Sequence, residues 1–359
     1  MTERAGPEGV VEVAHHTCGI HAQVQAAAEL SLNARVERIV QQDVRDALWR
    51  DRRLVKAWTV RGTLHLHPAG ELPLWYAARS AIDTGESDGL PAWRDPAGAL
   101  HPALSPDEVD SVSAAVREAL DGRCLLREEL VEEVAGRTGP AARQRLRSGF
   151  AFFLMDVCQG PPQGNKVTFA RPDQWTEGWQ EVDPEEALRE VCRRYLHAYG
   201  PARPNDFREW FGPATFKTAE ARALFESLGD LEEIDVEGHR AYVVAGDTDF
   251  PEPVSSVRLL PEYDAYIMGF RERDHLVPDE TRAQVAAHGR GKYEGPAGVR
   301  FLLIDGIAAG LWERKKKAKQ VELRVSPTRS LDKGERTALA GEAERIGAFL
   351  GLEAVLTVE

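Results

Sequence analysis

Residues 105–135 read SPDEVDSVSAAVREALDGRCLLREELVEEVA, and this stretch decides the fold class. It opens with Ser105-Pro106-Asp107-Glu108, which is typical of a helix start: serine caps the helix, proline fits the first turn and glutamate bonds back to the cap. Apolar residues then recur at helical spacing up to Leu120. Asp121-Gly122 ends this helix, and residues 125–135 predict a second, shorter one.

A third helix and a hairpin are predicted directly after this pair. The helix begins at Pro140 and runs through Leu146 and Phe150 to Met155. Three helices followed by a hairpin make the winged-helix variant of the helix-turn-helix motif. The hairpin is predicted from a turn at Pro161, Pro162, Gly164 and Asn165 and a wing strand at Val167-Thr168-Phe169.

The same order of elements is predicted on both sides of this unit. No sequence self-similarity accompanies it, so the prediction concerns element order alone. Upstream, residues 26–40 and 44–54 predict helices, the second capped by Asp43, and residues 55–67 alternate like a strand. Downstream, helices are predicted at residues 183–196, 206–211 and 218–228, and a hairpin at 231–236 and 241–244.

A β pattern follows a boundary rich in proline and glycine at residues 246–253. Strands are predicted at residues 257–260, 301–304, 308–312 and 321–325, and a closing helix at 333–350. The sequence therefore predicts an α+β fold, which we expect to form a C-shaped clamp. Its parts are three tandem winged-helix units at residues 10–100, 101–180 and 181–250, and a β-rich C-terminal domain with a basic hairpin at 251–359.

Composition predicts a globular protein of the cytoplasm. A length of 359 residues suffices for two or three domains. The chain has no apolar run of about 18 residues that would predict a membrane span, and its acidic start is unlike a signal peptide. The four cysteines are far apart, which predicts free thiols in a reducing compartment.

The net charge of −13 argues against a protein that coats nucleic acid non-specifically. It leaves room for a local basic surface. Arginine outnumbers lysine, which suits the recognition of phosphates and base edges. A GC-rich genome would produce the same excess, and both explanations stay open.

The triplet Gln23-Val24-Gln25 precedes a predicted helix. In extended backbone, residues two apart point to the same side, so the two amides would be presented together. In a helix they would diverge by about 200°. Two amides can orient a water and stabilise positive charge through their carbonyl oxygens, but they are poor general bases. Surface or helix-capping glutamines remain the alternative interpretation.

Residues 58–67 alternate between polar and apolar side chains. The polar face would contact phosphates or line a pocket, and a hydrated strand face is the alternative. His65 and His67 have no third metal ligand nearby, so no metal site is predicted. Thr59 lies on this polar face. The other residues on it, which are the candidates for substrate or DNA binding, are Arg61, Thr63, His65 and His67.

A run of cations separates two predicted strands near the C-terminus. Placed at a hairpin tip, it could enter a groove or grip phosphates, although a solvated turn would have the same composition. The candidate DNA-binding residues in this run are Arg314, Lys315, Lys316, Lys317 and Lys319.

Several enzyme motifs are absent from the sequence. It contains no G-x-S-x-G, no Walker loop, no G-x-G-x-x-G after a strand and no H-E-x-x-H. Base-excising enzymes that form a Schiff base need a lysine nucleophile in an apolar pocket, and no lysine here is obviously in such a sequence. We therefore expect no lyase step and no cofactor.

Two stretches carry a resemblance to a known family. Residues 19–34 read GIHAQVQAAAELSLNA and residues 58–68 read WTVRGTLHLHP. Weaker similarity continues at residues 260–264, LPEYD, and 303–306, LIDG. The chain resembles the winged-helix AlkZ-like family of bacterial DNA glycosylases, which unhook crosslinks and excise bulky alkylated bases.

The resemblance implies roles for particular residues. The family's catalytic motif is Gln-aliphatic-Gln, or Gln-aliphatic-Asp in a sister branch, so it places catalysis at Gln23 and Gln25. His21 stands where many relatives have glutamine, which would alter the substrate pocket. The implied partner is double-stranded DNA with alkylated or crosslinked purines, and we expect a monomer associated with the nucleoid, acting in DNA repair or in self-resistance to a genotoxic antibiotic.

Amide chemistry limits the substrates that we expect. A purine alkylated at N7 is cationic and leaves readily, so the enzyme needs only to stabilise an oxocarbenium-like sugar and hold a water. An unmodified base would require a general acid. We therefore predict a monofunctional glycosylase with an open cleft for cationic N7-alkylated purines. A winged-helix transcription regulator and a non-catalytic protein that binds adducts are the alternatives.

Overall fold

The computed structural model describes residues 3–82, 89–94, 98–148, 157–249, 254–288 and 298–359. Within them the helices are α1 Val10–His16, α2 Gln25–Arg35, α3 Gln41–Trp49, α4 Leu72–Ser80, α5 Pro106–Ala119, α6 Arg127–Arg137, α7 Pro140–Ser148, α8 Pro172–Trp175, α9 Pro184–Tyr199, α10 Pro204–Phe211, α11 Thr218–Ser227, α12 Ala265–Met268, α13 Asp279–His288 and α14 Lys333–Leu350. The strands are β1 Ile20–His21, β2 Leu54–Trp58, β3 Leu64–Pro68, β4 Trp93–Arg94, β5 Leu100–His101, β6 Leu125–Leu126, β7 Cys158–Gln163, β8 Lys166–Ala170, β9 Leu231–Val236, β10 His239–Val244, β11 Val257–Leu260, β12 Phe301–Ile304, β13 Ile307–Lys316, β14 Gln320–Pro327 and β15 Glu353–Val358.

The α+β class is confirmed. Two larger sheets organise the described residues: a six-stranded sheet in the order β1-β3-β2-β7-β8-β6 and a five-stranded sheet in the order β11-β12-β13-β14-β15. The pairs β9–β10 and β4–β5 form separate two-stranded ribbons. In the larger sheets neighbouring strands are antiparallel, except that β14 and β15 pair in parallel. Helix α14 connects these two strands.

Local capping signals correctly located the helix starts in the middle of the chain. The Ser105 hydroxyl accepts from the Glu108 backbone N at 3.3 Å, and the Glu108 carboxylate accepts from the Ser105 N at 3.0 Å. The Asp183 carboxylate caps α9 by accepting from two backbone N–H groups at 3.0 Å each. Helix α14 has the bounds that the sequence predicts. Such caps depend on residues three or four apart and so are readable from sequence.

The helix limits predicted for the first unit are wrong. Helix α2 ends at Arg35 because the backbone turns extended at Val36, which is buried. Asp43 is not the cap of α3 but its third residue, and its carboxylate accepts from the Val40 N at 2.7 Å. Helix α3 ends at Trp49, so Leu54 starts a strand instead of closing a helix.

Residues 54–68 form a hairpin, so the single strand predicted over residues 55–67 is wrong. Strand β2 pairs with β3 in the register Trp58 opposite Leu64, and a 3-10 turn, Val60–Gly62, connects them. The turn needs left-handed backbone, with φ of +56° at Arg61 and +65° at Gly62. Both strands are buried, so the alternation of polar residues does not mark a solvent face.

The hairpin predicted after α7 is present, with one shift. Pro161 and Pro162 lie in β7 at an irregularity of the β7–β8 register, and the turn is at Gly164 with φ of +62°. The continuation of α7 from Phe150 to Met155 lies outside the described residues. The elements that the sequence analysis did not predict are α1, α4, α8, α12, α13, β1, the short β4–β5 and β6 strands and β15.

Packing joins regions that are distant in sequence. Strand β2 pairs with β7, so the hairpins of the first two predicted units share one sheet. One core cluster combines Leu32 and Leu48 of α2 and α3 with Trp312 and Phe349 of the C-terminal region. Helix α2 is therefore packed between the N-terminal strands and the five-stranded sheet.

Candidate active site

The glutamine triplet lies at a junction between a strand and a helix. Strand β1 pairs with β3, and the Ala22 N donates to the Leu64 carbonyl at 2.7 Å. Val24 is extended, with φ of −108° and ψ of 104°, and Gln25 is the first residue of α2. Gln23 and Val24 are exposed, whereas Gln25 is half-buried.

Gln23 touches the edge of the neighbouring strand. Its Oε1 accepts from the Leu64 N at 3.4 Å, which is long for a hydrogen bond. The contact holds the side chain loosely beside β3 while the amide stays at the surface. A surface amide of this kind is accessible to solvent and to a ligand.

Gln25 is held from both ends of its amide. Its Oε1 accepts from the Lys56 ammonium at 2.9 Å, and its Nε2 donates to the Glu29 carboxylate at 3.4 Å. Glu29 is 1% exposed and also accepts from Gln41 at 2.5 Å and from Arg45 at 3.1 Å. The carboxylate therefore lies between three donors, one of which is the glutamine of the triplet.

Lys56 is a functional candidate that sequence reasoning missed. It is 6% exposed, and burial lowers its pKa to about 8, although the negative charge of Glu29 acts to raise it. The expectation that no lysine lies in an apolar sequence is wrong, because the segment Leu54-Val55-Lys56-Ala57-Trp58 has a single cation among apolar strand residues. That isolated cation in a buried strand was the available signal.

Three buried histidines lie behind the triplet. The rings of His21 and His65 meet edge to face at 5.2 Å, and His65 lies 6.0 Å from His67. Burial lowers the pKa of His21 to about 4, aided by the charges of Arg61 and Lys56. It lowers the pKa of His67 to about 3 and that of His65 well below its usual range. All three imidazoles are therefore neutral near pH 7.

His67 belongs to the protein interior. Its Nε2 forms a 2.8 Å hydrogen bond with the Thr59 hydroxyl, and its ring packs 4.3 Å from Trp75. Gly19 leaves room for this ring, since a Cβ there would come within 2.4 Å of it. The interpretation of residues 58–67 as a hydrated strand face is wrong, because Thr59, His65 and His67 are buried.

Arg61 and Thr63 bond to the protein's own backbone. Arg61 donates to the Trp210 carbonyl at 2.8 Å, and Thr63 donates to the Val60 carbonyl at 3.0 Å. Burial lowers the pKa of the Arg61 guanidinium to about 10. The structure thus gathers His21 and His65 beside the triplet and places Arg61 and Thr63 at the β2–β3 turn.

The segment at residues 260–264 reaches the site from the C-terminal region. Tyr263, with φ of +60°, has its ring 5.2 Å from that of His21. Asp264 is buried and binds Arg35 of α2 at 2.6 and 2.8 Å and the Ser31 hydroxyl at 2.5 Å. Sequence reasoning did not select Tyr263 as a site residue, although it noticed the segment.

The cationic run forms a hairpin, as the sequence predicts. Strands β13 and β14 flank the turn, which closes with the Lys317 N donating to the Gln320 carbonyl at 2.8 Å. Burial lowers the pKa of the half-buried Arg314 guanidinium. The charge of Arg300 adds to this shift and the carboxylates of Glu262 and Glu29 oppose it, so Arg314 at the hairpin base is within electrostatic reach of Glu29. Lys317 pairs with Glu322 across the hairpin. The exposed cations of the hairpin are Lys315, Lys316, Lys317 and Lys319.

No group of three or more histidine, cysteine, aspartate or glutamate side chains that could hold a metal ion occurs among the described residues. The four cysteines are free thiols. Within the same residues, no helix is both long enough and apolar enough to cross a membrane.

Comparison with known proteins identifies the class. The family described as DNA glycosylase AlkZ-like matches residues 14–349, which include the triplet, the histidines and the basic hairpin. The class is therefore that of DNA glycosylases, which cleave the bond between base and sugar. The chain belongs to the AlkZ-like DNA glycosylase family, and the resemblance inferred from residues 19–34 and 58–68 is confirmed.

Sequence and structure comparisons agree on the relative. The chain is 31% identical over 356 residues to an interstrand DNA cross-link repair glycosylase of Streptomyces sahachiroi, covering 95% of this chain and 91% of that protein. The structure of the DNA glycosylase AlkZ of the same organism aligns with a TM-score of 0.81 at 27% identity, covering 99% of this chain and 95% of that one.

Proposed function

We propose that this glycosylase hydrolyses the N-glycosidic bond of cationic N7-alkylated purines, including bulky adducts and interstrand crosslinks, with Gln23 and Gln25 as its catalytic residues. The observation that carries the proposal is the fixed amide of Gln25, two residues after the exposed amide of Gln23. The name of the relative from Streptomyces sahachiroi, a cross-link repair glycosylase, supports the substrate class.

The electrostatics of the site support a substrate that is already activated. The three imidazoles are neutral near pH 7, so they do not protonate a leaving base. Glu29 is buried and engaged by three donors, which leaves it poorly placed to accept a proton from water. An N7-alkylated purine needs neither group, since it leaves as a neutral base. The amides then stabilise the sugar cation and hold the water, which adds to C1′ and releases its proton to bulk solvent.

We further propose that the exposed lysines of the β13–β14 hairpin contact the DNA backbone next to the cleft. The exposure of these lysines supports this, and Arg314 at the base of the same hairpin is within electrostatic reach of Glu29. His65 and His67 are buried, so they would not touch the DNA. They would instead pack behind His21 and support the substrate side of the site. Arg61 and Thr63 would hold the β2–β3 turn, and His21 with Tyr263 would line the substrate side.

The architecture that we propose is a monomeric C-shaped clamp around duplex DNA in the nucleoid. The order α5, α6, α7 and β7–β8 supports a winged-helix unit at residues 101–180, and α9, α10, α11 and β9–β10 support one at 181–250. The unit at residues 10–100 and the β-rich domain at 251–359 would carry the triplet and the hairpin. We infer a monofunctional hydrolase, with no lyase step.

The first test measures base release from duplexes that carry N7-alkylguanine or an N7-linked crosslink. Gln23→Ala and Gln25→Ala are each expected to lower the single-turnover rate by about 10²-fold, the usual loss for one group that stabilises a transition state. DNA binding should stay close to that of the wild type. Gln42→Ala is the matched control, because Gln42 is exposed on α3 and bonds only to its helix neighbour Asp46 among the contacts described.

Unchanged rates in both triplet variants would remove the catalytic assignment. Efficient excision of uracil would contradict the restriction to cationic bases. Binding of adducted DNA without release of base would favour a non-catalytic binding protein.

A further inference from the structure

Lys56 occupies an unusual position for a lysine. It lies in β2, an interior strand of the six-stranded sheet, with Leu66 of β3 on one side and Gln159 of β7 on the other. Its side chain is almost fully buried, and taking an ammonium out of water is costly. Packing alone would favour an apolar residue here, as at Leu54 and Val55 of the same strand. The ammonium therefore points to a role other than stabilising the sheet.

The contacts of this ammonium determine how the Gln25 amide is oriented. An ammonium only donates hydrogen bonds and a carboxylate only accepts them. The oxygen of Gln25 must therefore face Lys56, at 2.9 Å, and its nitrogen must face Glu29, at 3.4 Å. With the amide reversed, its NH2 group would face the Lys56 ammonium, which also only donates. Its oxygen would face the Glu29 carboxylate, which also only accepts. Gln41 and Arg45 fix the carboxylate in turn.

We propose that Lys56 is a positioning residue for base excision, which acts by holding the Gln25 amide in this single orientation together with Glu29. The proposal rests on the proposed catalytic role of Gln25. One lone pair of Oε1 and one hydrogen of Nε2 remain after these two bonds. Those free sites are the ones that bind the attacking water and face the sugar.

The charges around Lys56 are compatible with this role. A lone ammonium beside a developing sugar cation would oppose the reaction. The buried carboxylate of Glu29 offsets it, since it lies on the other end of the same amide. The pair thus supplies orientation with little net charge at the reaction centre.

The experiment compares the full-length wild type with Lys56→Met, which keeps the length of the side chain and removes the donor. We expect the single-turnover rate of N7-alkylguanine release to fall by about 10- to 100-fold, less than or equal to the loss for a group that touches the transition state. The Kd for the same duplex should stay within about twofold, because DNA affinity comes mainly from phosphate contacts. Lys333→Met, an exposed lysine at the start of α14, is the matched control.

A double-mutant cycle separates positioning from an independent role. If Lys56 acts through Gln25, the variant Gln25→Ala with Lys56→Met is no slower than Gln25→Ala alone. Additive losses would overturn the proposal. A normal rate in Lys56→Met beside a slow Gln25→Ala would overturn it too while leaving the proposed function intact. A normal rate in Gln25→Ala would instead remove the proposed catalytic assignment itself.

Two further measurements complete the test. Glu29→Gln keeps the size of the side chain but presents either an acceptor or a donor to Gln25, so it should also slow excision. If Lys56→Met does not fold, this variant becomes the test, and an unchanged excision rate in Glu29→Gln overturns the proposal. Borohydride treatment during turnover traps an amine bound to the sugar. A covalent complex that Lys56→Met abolishes would show a nucleophile in place of a positioning residue.

Discussion

Gln25 and Lys56 are 31 positions apart in the chain, and their side chains meet at 2.9 Å. Neither residue indicates the other in the sequence. Together with Glu29 they define one orientation of one amide, which is the property that a catalytic glutamine requires. At the scale of single residues, function depends on neighbours that come from other elements.

Acid should destabilise this protein through its buried histidines. Burial lowers the pKa of His21 to about 4 and of His67 to about 3 from the usual 6.5. Between pH 6.5 and 4 the unfolded chain therefore binds protons that the native state does not, so stability falls as the pH falls. We expect the shifted pKa of each of these two histidines to make the free energy of unfolding about 3 kcal/mol lower at pH 4 than near neutral pH. Urea denaturation at the two pH values measures this.

Replacing His67 tests this pH dependence. His67→Gln keeps a nitrogen near the Thr59 hydroxyl but does not titrate. The variant should lose less stability between pH 6.5 and 4 than the wild type. His239→Gln, at an exposed position on β10, should follow the wild-type curve. Identical acid curves for all three proteins would contradict the interpretation.

Helix α2 is the element on which the site depends. It begins with Gln25, carries Glu29 and ends at Arg35, which forms a buried ion pair with Asp264. The pair and its Ser31 hydrogen bond tie the helix to the turn before α12. The orientation of the Gln25 amide is therefore linked to the C-terminal region through one helix.

Breaking this ion pair should unfold or displace α2. Asp264→Ala leaves the Arg35 guanidinium buried without its partner, which costs about 3–5 kcal/mol. We expect that loss in the free energy of unfolding, together with a large fall in excision rate. Glu233→Ala removes a partner of Arg240 in an exposed pair on the β9–β10 hairpin and should cost no more than about 1 kcal/mol. Equal losses in the two variants would show that the buried pair is not what holds α2.

Charge is distributed unevenly over the whole molecule. The chain carries a net charge of −13, yet the β13–β14 hairpin exposes several lysines. An acidic body repels the DNA backbone and a cationic hairpin attracts it. We expect this contrast to steer a duplex toward the hairpin.

Removing hairpin charge should weaken DNA binding without affecting chemistry. For Lys316→Ala with Lys319→Ala we expect the slope of log Kd against log salt concentration to fall by about 1 for each lysine that contacts a phosphate. The single-turnover rate at saturating protein should be preserved. Lys333→Ala serves as the control for a lysine outside the hairpin. An unchanged salt slope in the double variant would exclude the hairpin from the DNA contact.

Local sequence determined the helix starts at Ser105 and Asp183, the span of α14, the β7–β8, β9–β10 and β13–β14 hairpins and the resemblance at residues 19–34. Caps and turns depend on residues a few positions apart, and the triplet is a contiguous motif. Only the tertiary structure decided that residues 54–68 form a buried hairpin and that Lys56 and Asp264 contact residues of α2. Those contacts join residues 31 and 229 positions apart, where burial and charge pairing override what a neighbouring residue can indicate.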